Sequence, residues 1–276
     1  MPTAPQIDAP LSLGGFFGNN DSSSDGEDHQ QTEFDNCYEE QTVDLVGCQL
    51  KIRQYAFHSH NANRVWPGTF NLAEYLLERN EETEAYLRQW GDILELGTAT
   101  GLLAIRMVMA SSAHHPAKSK IEANEDYVTA KKFSCNRIVT SDVQDEHGEV
   151  EENVLYNYQL NGIPEEIQPK HVPHTWGTGW EKSASARELT TEECCFDTIV
   201  ASDILLYVSA YGALVQTLQE LMALNPNSKF VMSWNRRMKE SAEFFQRMKD
   251  AGFHCVHEGK CVYTFTRKNE KGVDGS

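Results

Sequence analysis

One segment narrows the possible folds more than any other. Asp92-Ile93-Leu94-Glu95-Leu96 is a short apolar run, Gly97-Thr98-Ala99-Thr100-Gly101 is a glycine-bounded turn, and Leu102 to Ala110 is an apolar stretch long enough for a helix. A buried strand, a tight turn and a helix in that order open a βαβ unit, and a parallel sheet follows from repeating it. Downstream the pattern does repeat. Arg137 to Thr140 predicts a strand ending at Ser141-Asp142, Asn153 to Leu160 a helix, Phe196 to Ala201 a strand, Gly212 to Ala223 a helix, Lys229 to Ser233 a strand and Glu240 to Ala251 a helix. Phe253 to His257 and Cys261 to Thr266 are strands with no helix between them, so they pair antiparallel. The expected fold is α/β, a Rossmann-like mostly parallel sheet of seven strands with a C-terminal antiparallel hairpin.

Upstream, residues 42–57 alternate in two runs and predict a hairpin or edge strands, and Asn71 to Arg79 predicts an amphipathic helix. Residues 1–41 are rich in Asn, Asp, Ser, Gly and Gln without periodicity and read as a disordered acidic tail, in which Phe16-Phe17 is at most a small docking element. The domain is expected over 42–268, with 113–136 as a polar surface insertion and 269–276 as a second loose end.

Charge limits the partners. The chain carries 41 Asp and Glu against 24 Lys and Arg, a net charge of −17. Ten acids in residues 1–50 and eight in 138–169 account for it, and neither zone holds a Lys or Arg. Nonspecific binding to nucleic acid or to an anionic membrane is therefore not expected. The second acidic zone suits a basic protein segment. There is no apolar run of membrane-spanning length and no secretory pattern at the N-terminus. Seven cysteines without a CxxC read as reduced usage, so a cytoplasmic location is expected, with the nucleus as a further one. The histidine groups His58-x-His60, His114-His115 and His254-x-x-His257 lack matching carboxylate or thiol sets and read as solvated surface residues, so no metal is expected.

Three ligands compete for the glycine turn. A P-loop requires Gly-Lys-Ser/Thr, whereas Gly101 is followed by Leu102. A dinucleotide fingerprint requires G-x-G-x-x-G, and from Gly97 the third and sixth positions are Ala99 and Leu102. S-adenosylmethionine fits better, because it has no phosphate to be repelled by Glu95 just before the turn. Asp142, at the end of the next strand, is the candidate for the ribose hydroxyls. Glu122 or Asp126 would take that place if the insertion held the strand.

Together, VWPGTFNLAEYL (Val65 to Leu76), DILELGTATG (Asp92 to Gly101), ENVLYNYQLNG (Glu152 to Gly162), TWG (Thr175 to Gly177) and FDTIVASDILLY (Phe196 to Tyr207) resemble the seven-β-strand protein lysine methyltransferases of the methyltransferase-16 family, also described as nicotinamide N-methyltransferase-like. The resemblance spans roughly residues 43–268. It implies an S-adenosylmethionine-dependent N-methyltransferase that modifies a lysine of a protein and works as a monomer. It also implies cofactor contacts at Trp66, Glu95, Gly97, Thr98, Ala99, Gly101, Asp142, Trp176 and Ser202, with Asp203 and Tyr207 facing the substrate. Two positions depart from the family pattern. Ala99 stands where a glycine is usual, and the D-x-x-Y motif is stretched, with Tyr207 one residue late after Asp203. A small-molecule N-methyltransferase and a non-catalytic partner protein remain the alternative readings.

Overall fold

The computed structural model describes residues 38–77, 90–112, 135–235 and 239–268. The tail up to residue 37, most of the 113–136 insertion with Glu122, Asp126 and His114-His115, and the 269–276 end lie outside the described residues.

Strands β1 (Tyr38–Leu45) and β2 (Cys48–Tyr55) form an antiparallel hairpin of their own, so Tyr38 to Gln41 are strand where polarity alone assigns them to the tail. Helix α1 (Gly68–Leu77) follows, then β3 (Asp92–Leu96), α2 (Leu102–Ser112), β4 (Arg137–Asp142) and α3 (Glu149–Leu160). After them come β5 (Lys170–Pro173), α4 (Trp180–Ser185), β6 (Thr198–Ser202), α5 (Tyr211–Leu224), β7 (Lys229–Ser233), α6 (Ser241–Asp250), β8 (Phe253–Gly259) and β9 (Val262–Arg267). The main sheet has seven strands in the order β5-β4-β3-β6-β7-β9-β8. The five strands β3 to β7 are parallel, and β9 and β8 join antiparallel.

Alternation along the strands divides the core into two layers. Ile93, Ile138, Val200 and Val231 pack with α1, α2 and α3, while Leu94, Leu96, Val139, Ile199, Phe230 and Met232 pack with α4, α5 and α6. Helix α3 begins four residues earlier than its apolar period predicts. Asp145 accepts the N–H groups of Glu149 (3.1 Å) and Val150 (2.8 Å), and Glu149, Glu151 and Glu152 in the first turn suit the positive end of the helix dipole.

The hairpin is tied to this core by asparagines spaced four residues apart on α3. Asn153, Asn157 and Asn161 share one helix face and meet alternate residues of β2. Asn161 accepts from the Lys51 N–H and donates to its carbonyl, and Asn157 does the same for Arg53. Asn153 donates to the Arg53 carbonyl and accepts from its Nε. Three carboxamides thus satisfy backbone groups as a neighbouring strand would. Asn157, fully buried, also donates to the Thr100 carbonyl in the glycine turn (2.9 Å), so the hairpin reaches the head of the sheet.

Candidate active site

From β3 the chain steps outward to β4 and β5, then returns to β6 on the other side of β3. The switch leaves a crevice at the carboxyl ends of β3 and β6, where ligands bind in sheets of this kind. A cavity of about 220 Å³ lies there. Trp66, Gly97, Ala99, Asp142, Trp176, Ser202, Asp203 and Tyr207, all expected from the sequence, line it together.

Glu95, Thr98 and Gly101 do not line it. Glu95 points from β3 into the layer under the turn, 2% exposed, and accepts the Thr98 hydroxyl at 2.9 Å. Burial pushes its carboxyl up to about 8, against the pull of that hydroxyl. Its place is that of an internal brace. Gly97 sits at φ 68°, and a Cβ there would come within 2.7 Å of Ile204 Cγ2. Its N–H and that of Thr98 donate to the Ser141 carbonyl (2.8 and 3.1 Å), which fastens the turn to the end of β4.

Asp142 accepts the N–H of Ala99 (2.7 Å) and of Val143 (2.7 Å), one on each oxygen. Burial raises its carboxyl above the ordinary range while the two N–H groups oppose the shift. Each oxygen keeps a further lone pair, enough for a pair of ribose hydroxyls. His174 follows β5, buried, with Nδ1 3.0 Å from the Ser183 hydroxyl, and burial lowers its basicity.

The opposite wall departs most from the expectation. Asp203, at the left-handed φ of 50°, is 3% exposed. Its Oδ2 accepts the Gly68 N–H at 2.6 Å and its Oδ1 the Asn235 N–H at 2.9 Å. Gly68 fits tightly, since a Cβ there would lie 2.6 Å from Ser233 Oγ and 2.8 Å from the Asp203 carboxylate. The carboxylate thereby ties the start of α1 to the ends of β6 and β7, and the Thr69 hydroxyl meets Ser202 Oγ at 3.0 Å beside it. Tyr207, 44% exposed, stands at the mouth, where its hydroxyl accepts from Asn61 Nδ2. Leu206 lines the cavity at the position where D-x-x-Y would place the tyrosine.

Pattern reading misses Asn61, His60, His174 and Leu206. His174 and Leu206 lie beside or within the TWG and FDTIVASDILLY motifs. Asn61 lies in a polar loop with no period to mark it. His58, expected at the surface, is buried, packed on Tyr55 and 3.8 Å from Asp145. Among the described residues no cluster of three or more His, Cys, Asp or Glu could hold a metal ion, and no helix is long and apolar enough to cross a membrane.

The residues present fit S-adenosylmethionine. Among the described lining residues there is no Lys or Arg to meet a phosphate, while a paired carboxylate and two indoles suit ribose, adenine and a sulfonium.

Comparison with known proteins agrees with this geometry. Residues 45–251 match the family model described as lysine methyltransferase. The protein-lysine N-methyltransferase EFM3 of Chaetomium thermophilum is 25% identical over 187 residues, 66% of this chain and 45% of that protein, so the match spans less than half of the relative's length. Among solved structures, a 16S rRNA methyltransferase of T. thermophilus in complex with AdoMet and guanosine is 16% identical, covering 84% of this chain and 50% of that one, with a TM-score of 0.45. A methyltransferase from Pyrococcus furiosus is 16% identical over 73% of this chain and 85% of its own, with a TM-score of 0.37. At such scores the structural likenesses carry no functional weight.

Proposed function

The chain belongs to the lysine methyltransferase family, whose cofactor is S-adenosylmethionine, and from that premise we propose that it methylates a lysine side chain of another protein. The observation that carries the reading is the family match itself, which extends from the hairpin past the glycine turn to the end of α6. A relative named for protein-lysine methylation supports it. So does the cavity mouth at exposed Tyr207, which suits a side chain presented from outside.

When bound, the cofactor supplies an electrophilic methyl on a sulfonium. The chain's residues position the partners for in-line attack by the amine nitrogen. Asp142 would hold the ribose, Trp176 would flank the adenine, and Trp66 would lie over the methionine end. The amine must arrive neutral, and stripping a proton from a lysine of pKa near 10.4 at pH 7 costs about 4–5 kcal/mol. Ile204, Leu206 and Trp66 make an apolar approach that lowers that cost. Water takes the proton, so no strong base is needed in the wall.

Incubation with a labelled cofactor and a lysate tests the proposal. Label on a lysine of a protein, located by mass spectrometry, is the expected result. Label confined to small molecules would make the protein a small-molecule N-methyltransferase, and failure to bind the cofactor would make it a non-catalytic partner. The acidic zone of α3 predicts that the KM for the acceptor protein rises with salt.

A further inference from the structure

The motif that the family resemblance assigns to the substrate leaves a question of chemistry. An amine approaching the methyl needs a hydrogen-bond acceptor at the mouth, and Asp203, the expected one, is 3% exposed and holds a backbone N–H on each oxygen. Several other polar side chains of the lining also hold protein partners. Asp142 holds Ala99 and Val143, Ser202 pairs with Thr69, His174 Nδ1 with Ser183, and His60 Nδ1 with Ser59 at 3.0 Å.

Asn61 remains. It lies on the loop between β2 and α1 at φ 59°, a left-handed conformation uncommon outside glycine and best tolerated by Asn. Two further non-glycine residues with positive φ, Ala99 and Asp203, also line the cavity. Strain of this kind gathers where the surrounding structure imposes it for a purpose. The backbone of Asn61 is fixed on both sides: its N–H donates to the His58 carbonyl at 3.0 Å and its carbonyl accepts the Trp66 Nε1–H at 3.1 Å. Its carboxamide donates through Nδ2 to the Tyr207 hydroxyl, spanning the mouth from one wall to the other. With Nδ2 so committed, Oδ1 is the acceptor left over, and no donor among the described residues is bonded to it.

We infer that Asn61 is the amine-recognising residue: its Oδ1 accepts an N–H of the incoming amine, and Tyr207 fixes the carboxamide in that orientation. The inference rests on the proposed amine acceptor and gives the recognition to a residue outside the D-x-x-Y motif.

Two ligands test it without any knowledge of the acceptor. S-adenosylhomocysteine lacks the methyl, whereas sinefungin carries an amine on carbon in place of the sulfonium and its methyl, at the transfer point. Calorimetry on the full chain should show a preference for sinefungin. Asn61→Gly, which suits φ 59° and so removes the side chain without adding strain, should reduce that preference about tenfold, the worth of a hydrogen bond to a charged group, with S-adenosylhomocysteine affinity unchanged. Asn61→Asp keeps an acceptor and should retain the preference, and Tyr207→Phe should weaken it by a smaller factor. An unchanged ratio in Asn61→Gly, or no preference in the parent protein, overturns the inference while leaving the methyltransferase reading intact. Failure of the parent to bind either ligand overturns both.

Discussion

The two walls of the cavity are built differently. On the cofactor side, the turn from Gly97 to Gly101 is held by backbone groups, with Gly97 and Thr98 bonded to Ser141, Ala99 to Asp142 and Thr100 to Asn157. It is deeply buried, and its partners come from β4 and α3. The mouth is made of loop side chains, with Asn61, Trp66 and Tyr207 spanning residues far apart in sequence, and Tyr207 is largely open to solvent. A cofactor common to many methyltransferases can be met by a backbone that tolerates varied side chains. An acceptor particular to one enzyme has to be met by side chains, and those sit where they can change without unfolding the sheet.

The sharpest way to break this contrast is at Asn157. Replacing it with Leu leaves the N–H of Arg53 and the carbonyl of Thr100 unpaired in the interior, while Asn153 still donates to the Arg53 carbonyl, an expected loss of about 2–3 kcal/mol. Denaturant unfolding measures it, and a loss below about 1 kcal/mol would show that the hairpin and turn are held by other means. Next is Gly97→Val, which combines a positive φ with a 2.7 Å approach to Ile204. Binding of S-adenosylhomocysteine should weaken on the order of a hundredfold, and near-normal affinity would move the cofactor off this turn.

Asp203→Asn probes the other wall. The amide keeps one acceptor for two N–H donors, so stability should fall by about 1–3 kcal/mol. An unchanged melting temperature with methyl transfer lost would instead return Asp203 to the acceptor.

The last test concerns pH. Glu95 titrates near 8 in the folded chain against 4.5 for an ordinary glutamate. The folded state therefore holds a proton that the unfolded state has lost across that window, and stability contributed by this site falls as pH rises from about 4.5 to about 8. Glu95→Gln can still accept from Thr98 but cannot titrate. Its stability relative to the parent should grow with pH up to about 8, and parallel curves between pH 5 and 8 would show that Glu95 is ionised throughout.

Much of the fold is legible in the order of residues. The strand β3 and the ends of β7 follow the apolar runs, and the missing helix between β8 and β9 announces the antiparallel pair. Two elements escape. Strand β5 is four residues ending in Pro173 at the sheet edge, too short for a period, and α4 is six residues. The site is half legible, since glycines and a strand-end acid mark a backbone cradle wherever one exists. Asn61 and the engagement of Asp203 leave no mark.

Sequence alone determined the alternation of strand and helix, the position of the glycine turn and the placing of negative charge, because each depends on neighbours within one or two turns of chain. Only the tertiary structure decided which distant groups the site side chains hold. Asp203 is bound by Gly68, 135 residues away, and Tyr207 by Asn61, 146 residues away. A side chain's hydrogen-bond partner is set by what folding brings beside it, and across such distances no local period records the choice.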